Sequence, residues 1–192
     1  MSATQSPDAR ERIIATAYEL FTRRGIRDVG VDEVVEKANV AKTTLYRHFP
    51  SKDELVLAFL EEREQQWTVD IVDRQSAERA HHPEDQLLAT FDVFDDWFHR
   101  RTDYEACSFV KVLMEMGAEG PIGQACLAHL DNIRMIVRDR ATRARLRDPD
   151  EFAGLYNILM KGSIVAAAEG DVDAARRAKL LAVRLIDDHR QS

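Results

Sequence analysis

The chain has 192 residues, 45% of them hydrophobic and 32% charged, which is long enough for a sizeable core and too apolar for a disordered segment. No run approaches the roughly 18 apolar residues of a membrane span and the start lacks the apolar core of a signal peptide, so a cytoplasmic protein with no membrane partner is expected. The net charge of −7 is uneven: up to Lys52 there are nine Lys or Arg against seven Asp or Glu, a net of +2, leaving −9 for the remainder, which suits a head that alone meets phosphate. Glycine and proline are scarce and fall at helix ends, and period-2 alternation is almost absent. The fold class is therefore all-α, with about nine helices. The first helix starts with Ser6 as cap and Pro7 at its first position, buries Ile13, Ala17, Leu20 and Phe21, and ends at Gly25, with Arg23 and Arg24 complementing the dipole in the last turn.

Val31 to Lys52 reads as a helix-turn-helix. Val31, Val34, Val35 and Ala38 lie at i, i+3, i+4 and i+7, a single apolar stripe with Asp32 and Glu33 in the first turn. Asn39 tolerates the left-handed conformation that a helix end needs, so Asn39-Val40-Ala41 turns the chain in three residues. A second short helix, Lys42 to Phe49, turns Leu45 and Phe49 inward and leaves Lys42, Thr43, Thr44, Tyr46, Arg47 and His48 outside. Such a face is either a solvated surface or equipment for phosphates and base edges.

The run Leu45-Tyr46-Arg47-His48-Phe49-Pro50-Ser51-Lys52-Asp53-Glu54-Leu55 resembles the TetR family of transcriptional repressors. That family's signature is Leu-Tyr-x-x-Phe, then Pro or a small residue, then Ser-Lys-Asp/Glu and Leu. The resemblance implies that the first helix packs under the helix-turn-helix, that Lys42, Thr43, Thr44, Tyr46, Arg47, His48 and Lys52 meet DNA, and that two copies read an inverted-repeat operator. It also implies residues 1–52 as the DNA-binding domain and residues 53–192 as a dimerising, effector-binding domain. Three positions depart from the family pattern: Gly30 and Ala41 replace capping hydroxyls, and Thr43 stands where glycine is frequent.

Helix four opens with a Ser51–Glu54 capping box and continues through Leu55, Phe59, Glu62 and Gln66 toward Arg74, its charged second half a solvated connector. After the break at Pro83, Leu87, Phe91, Phe94 and Phe98 follow at helical spacing beside Trp97. Helix six spans roughly Tyr104 to Gly117, and another runs from Ile122 to an arginine-rich end whose interleaved acids favour a solvated surface over a second nucleic-acid patch. Large soft side chains in this half line an effector pocket or fill a core; the pocket reading takes Trp67, Phe91, Phe94, Trp97, Phe98 and Met114 as walls and Tyr104, Cys107, His129, Asn132 and Tyr156 as polar anchors.

The last two helices, one starting at Asp148-Pro149 and one near Val172 to His189, are rich in small residues. Gly162, Ala166, Ala167, Ala175, Ala178, Ala182 and Leu185 are expected in a homodimer interface, a four-helix bundle made by two subunits. Cys107 and Cys126 read as free thiols, and Cys126 with His129 lacks an accompanying Cys-x-x-Cys or His-Glu-x-x-His, so neither metal nor other cofactor is expected. No nucleophile or phosphate-loop motif suggests an enzyme. The function implied is a homodimeric repressor released from its operator by a small apolar effector. The alternative is a helical protein-interaction module without sequence-specific DNA binding.

Overall fold

The computed structural model describes residues 8–100 and 107–191, and among them the ordered elements are all helices. There are nine: α1 (Ala9–Arg24), α2 (Val31–Lys37), α3 (Lys42–His48), α4, α5 (Pro83–Arg100), α6 (Ser108–Met116), α7 (Pro121–Arg143), α8 (Pro149–Ala168) and α9 (Ala174–His189). The helix α4 has three parts, an α-helix Lys52–Arg63, a π-helical segment Glu64–Gln75 and a closing α-turn Ser76–Arg79. Ser6, Pro7 and Tyr104, assigned to helix starts by the sequence, lie outside the described residues. Asp8 caps α1 instead, in a reciprocal box with Glu11. Asp148 holds the cap position of α8 in a left-handed conformation (φ 47°) and makes no side-chain cap bond. At α4 only half of the expected box forms: Ser51 Oγ accepts from the Glu54 amide at 3.1 Å.

The chain divides into two compact units: residues up to Arg63 together with Ser108–Leu127, and Glu64–Cys107 together with Ala128–Ser192. In the first, Ile13, Ala17, Leu20 and Phe21 of α1 are buried as the sequence spacing predicts, together with Val34, Leu45, Phe49 and Phe59. The Phe21 and Phe59 rings meet edge to face at 5.6 Å. The helix α6 belongs to this core through Phe109 and Val112, and its polar side grips the end of α1. Lys111 Nζ donates to the Thr22 carbonyl at 2.8 Å, one of the orphan acceptors at a helix C-terminus. The Glu115 carboxylate accepts from the amides of Ile26 and Arg27 at 3.0 and 2.6 Å. Gly25 makes room for that carboxylate. Its φ of 90° lies where side chains are strained, and a Cβ there would sit 2.9 Å from Glu115 Oε2.

The second unit buries Trp67 and Val72 of α4 with Leu87, Phe91 and Phe94 of α5, Val137 of α7 and Phe152 and Tyr156 of α8. A π-helix shifts the backbone bonds from i+4 to i+5, which disturbs the carbonyl pattern at its end. A buried cation meets that end: Arg140 of α7 donates to the Asp73 carbonyl at 2.9 Å and to Asp73 Oδ1 at 2.8 Å, and Ser76 Oγ donates to the Val72 carbonyl at 2.5 Å. The charged second half of α4, expected to be a solvated connector, thus has Trp67, Thr68 and Val72 inside. The helix α9 packs on α8 and α5, held by Lys179 to Asp92 (2.7 Å) and Arg176 to Asp95 (3.0 Å).

Candidate functional site

The local sequence builds the helix-turn-helix with little help from caps. Gly30 and Ala41 hold the cap positions of α2 and α3 in extended conformation without side-chain bonds, so two seven-residue helices depend on packing. Asn39 adopts φ 51° and turns the chain between them. Leu45 and Phe49 are buried, which fixes the rotation of α3. Lys42, Thr43 and Arg47 are exposed, Tyr46 is 42% exposed, and Thr44 and His48 are half-buried. Arg47 has no ion pair among the described residues and is free to reach a phosphate. Two expected contacts carry other duties. Lys42 Nζ lies 2.6 Å from Asp32 Oδ1, and that hydrogen bond holds its pKa above the ordinary lysine value. Lys52 Nζ donates to the Ile26 carbonyl at 2.6 Å, tying the start of α4 to the loop after α1.

In the second unit the expected pocket residues separate. Phe91, Phe94, Phe98 and Tyr156 are buried core, the Tyr156 hydroxyl donating to the Leu87 carbonyl at 2.5 Å and burial pushing its pKa well up. Met114 is 83% exposed and forms no wall, because it lies on the outer side of α6. Trp97 lines a surface cleft with Ile71, Val93 and Arg100. His129 and Asn132 of α7 turn toward Glu64, with His129 Nδ1 3.1 Å from Glu64 Oε2 and Asn132 Nδ2 donating to Oε1 at 3.0 Å. Thr68 Oγ1 adds a third bond at 2.8 Å. Burial, the largest single influence, pushes the Glu64 carboxyl up; the bonds from His129, Asn132 and Thr68 together outweigh it and leave the pKa below its ordinary value.

Trp67 and Cys107 do share a cavity. It lies between the π segment of α4, α7 and α8, is narrow, with a volume of about 10 Å³, and among the described residues has Leu130, Ile133, Met160 and Ile164 as its other apolar walls, with Asn157 and Lys161 as polar members. The sequence reading missed both. Asn157 and Lys161 stand at i and i+4 on an otherwise apolar stretch of α8, a spacing that would have flagged one polar stripe. Asn157 is only 7% exposed and makes no side-chain hydrogen bond among the described residues. Such burial ordinarily costs about 1 to 3 kcal/mol.

The small residues of α8 and α9 mostly face inward. Ala167, Ala175, Ala178 and Ala182 are buried within their own subunit, which corrects their placement on an outer face; Ala166 and Leu185 are half-buried and Gly162 is exposed. The outer face carries larger side chains, Leu155, Ile158, Leu159 and Leu181 with Leu185, which line a shallow apolar groove between the two helices.

A family model for bacterial regulatory proteins of the tetR family matches residues 13–59. Over 54 residues, 28% of this chain, the sequence is 43% identical to the HTH-type transcriptional activator FasR of Mycolicibacterium smegmatis, of whose length the match spans 25%. It is 24% identical over 198 residues to the HTH-type transcriptional regulator EthR of Mycobacterium tuberculosis, covering 94% of this chain and 85% of that protein. A solved TetR-family transcriptional regulator from Streptomyces coelicolor has the same fold, with a TM-score of 0.86 and 24% identity over 95% of this chain and 96% of the other. Residues 13–59 thus match the tetR-family model, and the chain shares the fold of a solved TetR-family regulator.

Proposed function

We propose that the protein is a cytoplasmic homodimeric transcriptional repressor. Residues 1–52 carry the DNA-contacting surface, residues 53–192 dimerise and hold an effector, and the operator is an inverted repeat. The observation that carries this reading is α3: with Leu45 and Phe49 buried, its outward face offers Thr43, Tyr46 and Arg47 for base edges and phosphates. Thr43 and Thr44 set the preferred sequence and Arg47 neutralises phosphate. Two such helices reach successive major grooves only when about 34 to 36 Å apart, which gives the operator its symmetry. The groove between α8 and α9 supports the dimer, since an apolar face of five side chains is stabilised by a second copy.

Release needs a ligand that binds two arrangements of the body unequally. Both α4 and α7 support this coupling, because each contributes residues to both compact units, α4 changing from α to π where they divide. The repressor reading rests on this release; the name of FasR, an activator, shows that a closely similar head serves the opposite sign of control. Selection of random duplexes by the purified chain tests the proposal. Enrichment of one inverted repeat is the expected result; binding without sequence preference, and only at low salt, favours a protein-interaction module instead.

A further inference from the structure

We propose that Asp95 and His99 of α5, with Asp173 at the start of α9, form a site for a zinc-class divalent cation, a role outside the regulator reading and independent of it. One ligand atom from each of the three lies within 4.8 Å of the other two. Asp95 and His99 stand at i and i+4, so both project from one face of α5. His99 Nδ1 lies 2.8 Å from the Asp95 carbonyl oxygen, and a neutral ring that donates there has a bare lone pair at Nε2. That nitrogen faces Asp173 Oδ1 at 3.9 Å, a pair of acceptors that a cation between them satisfies. A metal-bound histidine commonly donates its other ring N–H to a backbone carbonyl, which is the arrangement at His99. Asp95 adds an independent observation: its Oδ1, 3.5 Å from His99 Nδ1, is sealed from solvent and accepts no hydrogen bond among the described residues.

A side-chain cation already bridges the two carboxylates. Arg176 lies 3.0 Å from both Asp95 Oδ2 and Asp173 Oδ1. Its side chain is 62% exposed and can swing into solvent, so a metal ion displaces it without opening the core. One imidazole with two carboxylates suits zinc, cobalt or nickel better than magnesium or calcium, which prefer oxygen alone. Zinc bonds of about 2.0 to 2.2 Å place two tetrahedral ligands about 3.4 Å apart, and a small rotation of the exposed His99 and half-buried Asp173 side chains closes the present 3.9 Å to that value. The opening of both side chains to solvent leaves the remaining coordination position to water. No sequence motif marks this site, because Asp173 lies far along the chain from Asp95 and His99 and only the packing of α9 on α5 joins them.

Calorimetric titration of the chelator-treated full chain with zinc chloride, beside magnesium chloride, tests the site. The wild type should bind a zinc ion that His99→Ala holds at least about tenfold more weakly, and Asp173→Asn should weaken it to a similar degree. Zinc taken up by the other histidines appears equally in wild type and variants, so the difference reports this site. Equal helicity by circular dichroism checks that the variants fold. Arg176→Met should tighten zinc several-fold, because the competing guanidinium is gone; a cluster that serves only as an ion pair gives no such gain. Zinc should also raise the Tm of the wild type by more than that of His99→Ala. Failure of the wild type to bind zinc, equal binding by wild type and His99→Ala, equal affinity for magnesium, or weaker binding by Arg176→Met overturns the proposal.

Discussion

Lys52 sits where a phosphate contact is expected, yet its ammonium already donates to the Ile26 carbonyl, so its replacement disturbs the fold as well as any DNA contact. Lys52→Met should cost about 1.5 to 3 kcal/mol in chemical denaturation. Arg47→Ala separates the two effects: stability should stay within about 0.5 kcal/mol of the wild type, while the salt dependence of operator binding flattens by about one phosphate. An unchanged salt slope would take Arg47 off the DNA. Glu64 gives a pH signature. Its pKa is depressed in the folded state, so its contribution is present above the unfolded value of about 4.3 and is lost as pH falls through the lower folded value. The stability gap between wild type and Glu64→Gln should therefore be wide at pH 7 and close in strongly acidic buffer; a gap independent of pH means that the charge is not what His129, Asn132 and Thr68 hold. Residues of this kind differ in how far the sequence reveals them. Leu45, Phe49 and Asn39 were legible because helical period and left-handed tolerance are local properties. The Asp32–Lys42 pair reaches across the turn between two helices and the Glu64 cluster joins α4 to α7, and only the fold brings them together.

The π segment of α4 is the element that sequence period could least foresee, since one extra residue per turn slides apolar positions out of the 3.6 pattern and makes a buried stretch look solvated. Its far end depends on a side chain from another helix. Arg140→Met should destabilise the second unit by about 3 kcal/mol, because methionine leaves the Asp73 carbonyl and carboxylate without their donor. A loss below about 1 kcal/mol in denaturant unfolding would mean that the π segment satisfies itself. The helices α8 and α9 were misjudged for a different reason. Both faces of each are apolar, so spacing gave the stripes without their direction. The small residues lie inside because α9 packs closely on α5 and α8, and the larger leucines and isoleucine are left outside.

At the scale of the whole molecule, the all-α class, the head and the nine-helix layout were legible from caps, breaks and the Leu45–Leu55 run, whereas the cavity required the fold. Dimerisation through the outer groove has a direct measurement. Ile158→Arg, at a position 67% exposed within one chain, should leave helicity unchanged by circular dichroism and give monomers in sedimentation. Dimers surviving that change would place the interface elsewhere. The division of the chain also bears on how such a protein can be recombined. The unit that holds α1 to α3 is not one stretch of sequence: Ser108–Leu127 belongs to it, and Lys111 and Glu115 bind the end of α1 and the loop beyond it. The head is therefore no cassette. A chimera that takes only residues 1–63 onto another body leaves the Thr22 carbonyl and the amides of Ile26 and Arg27 without partners, and transplanting operator preference in working form requires the two distant segments to move together.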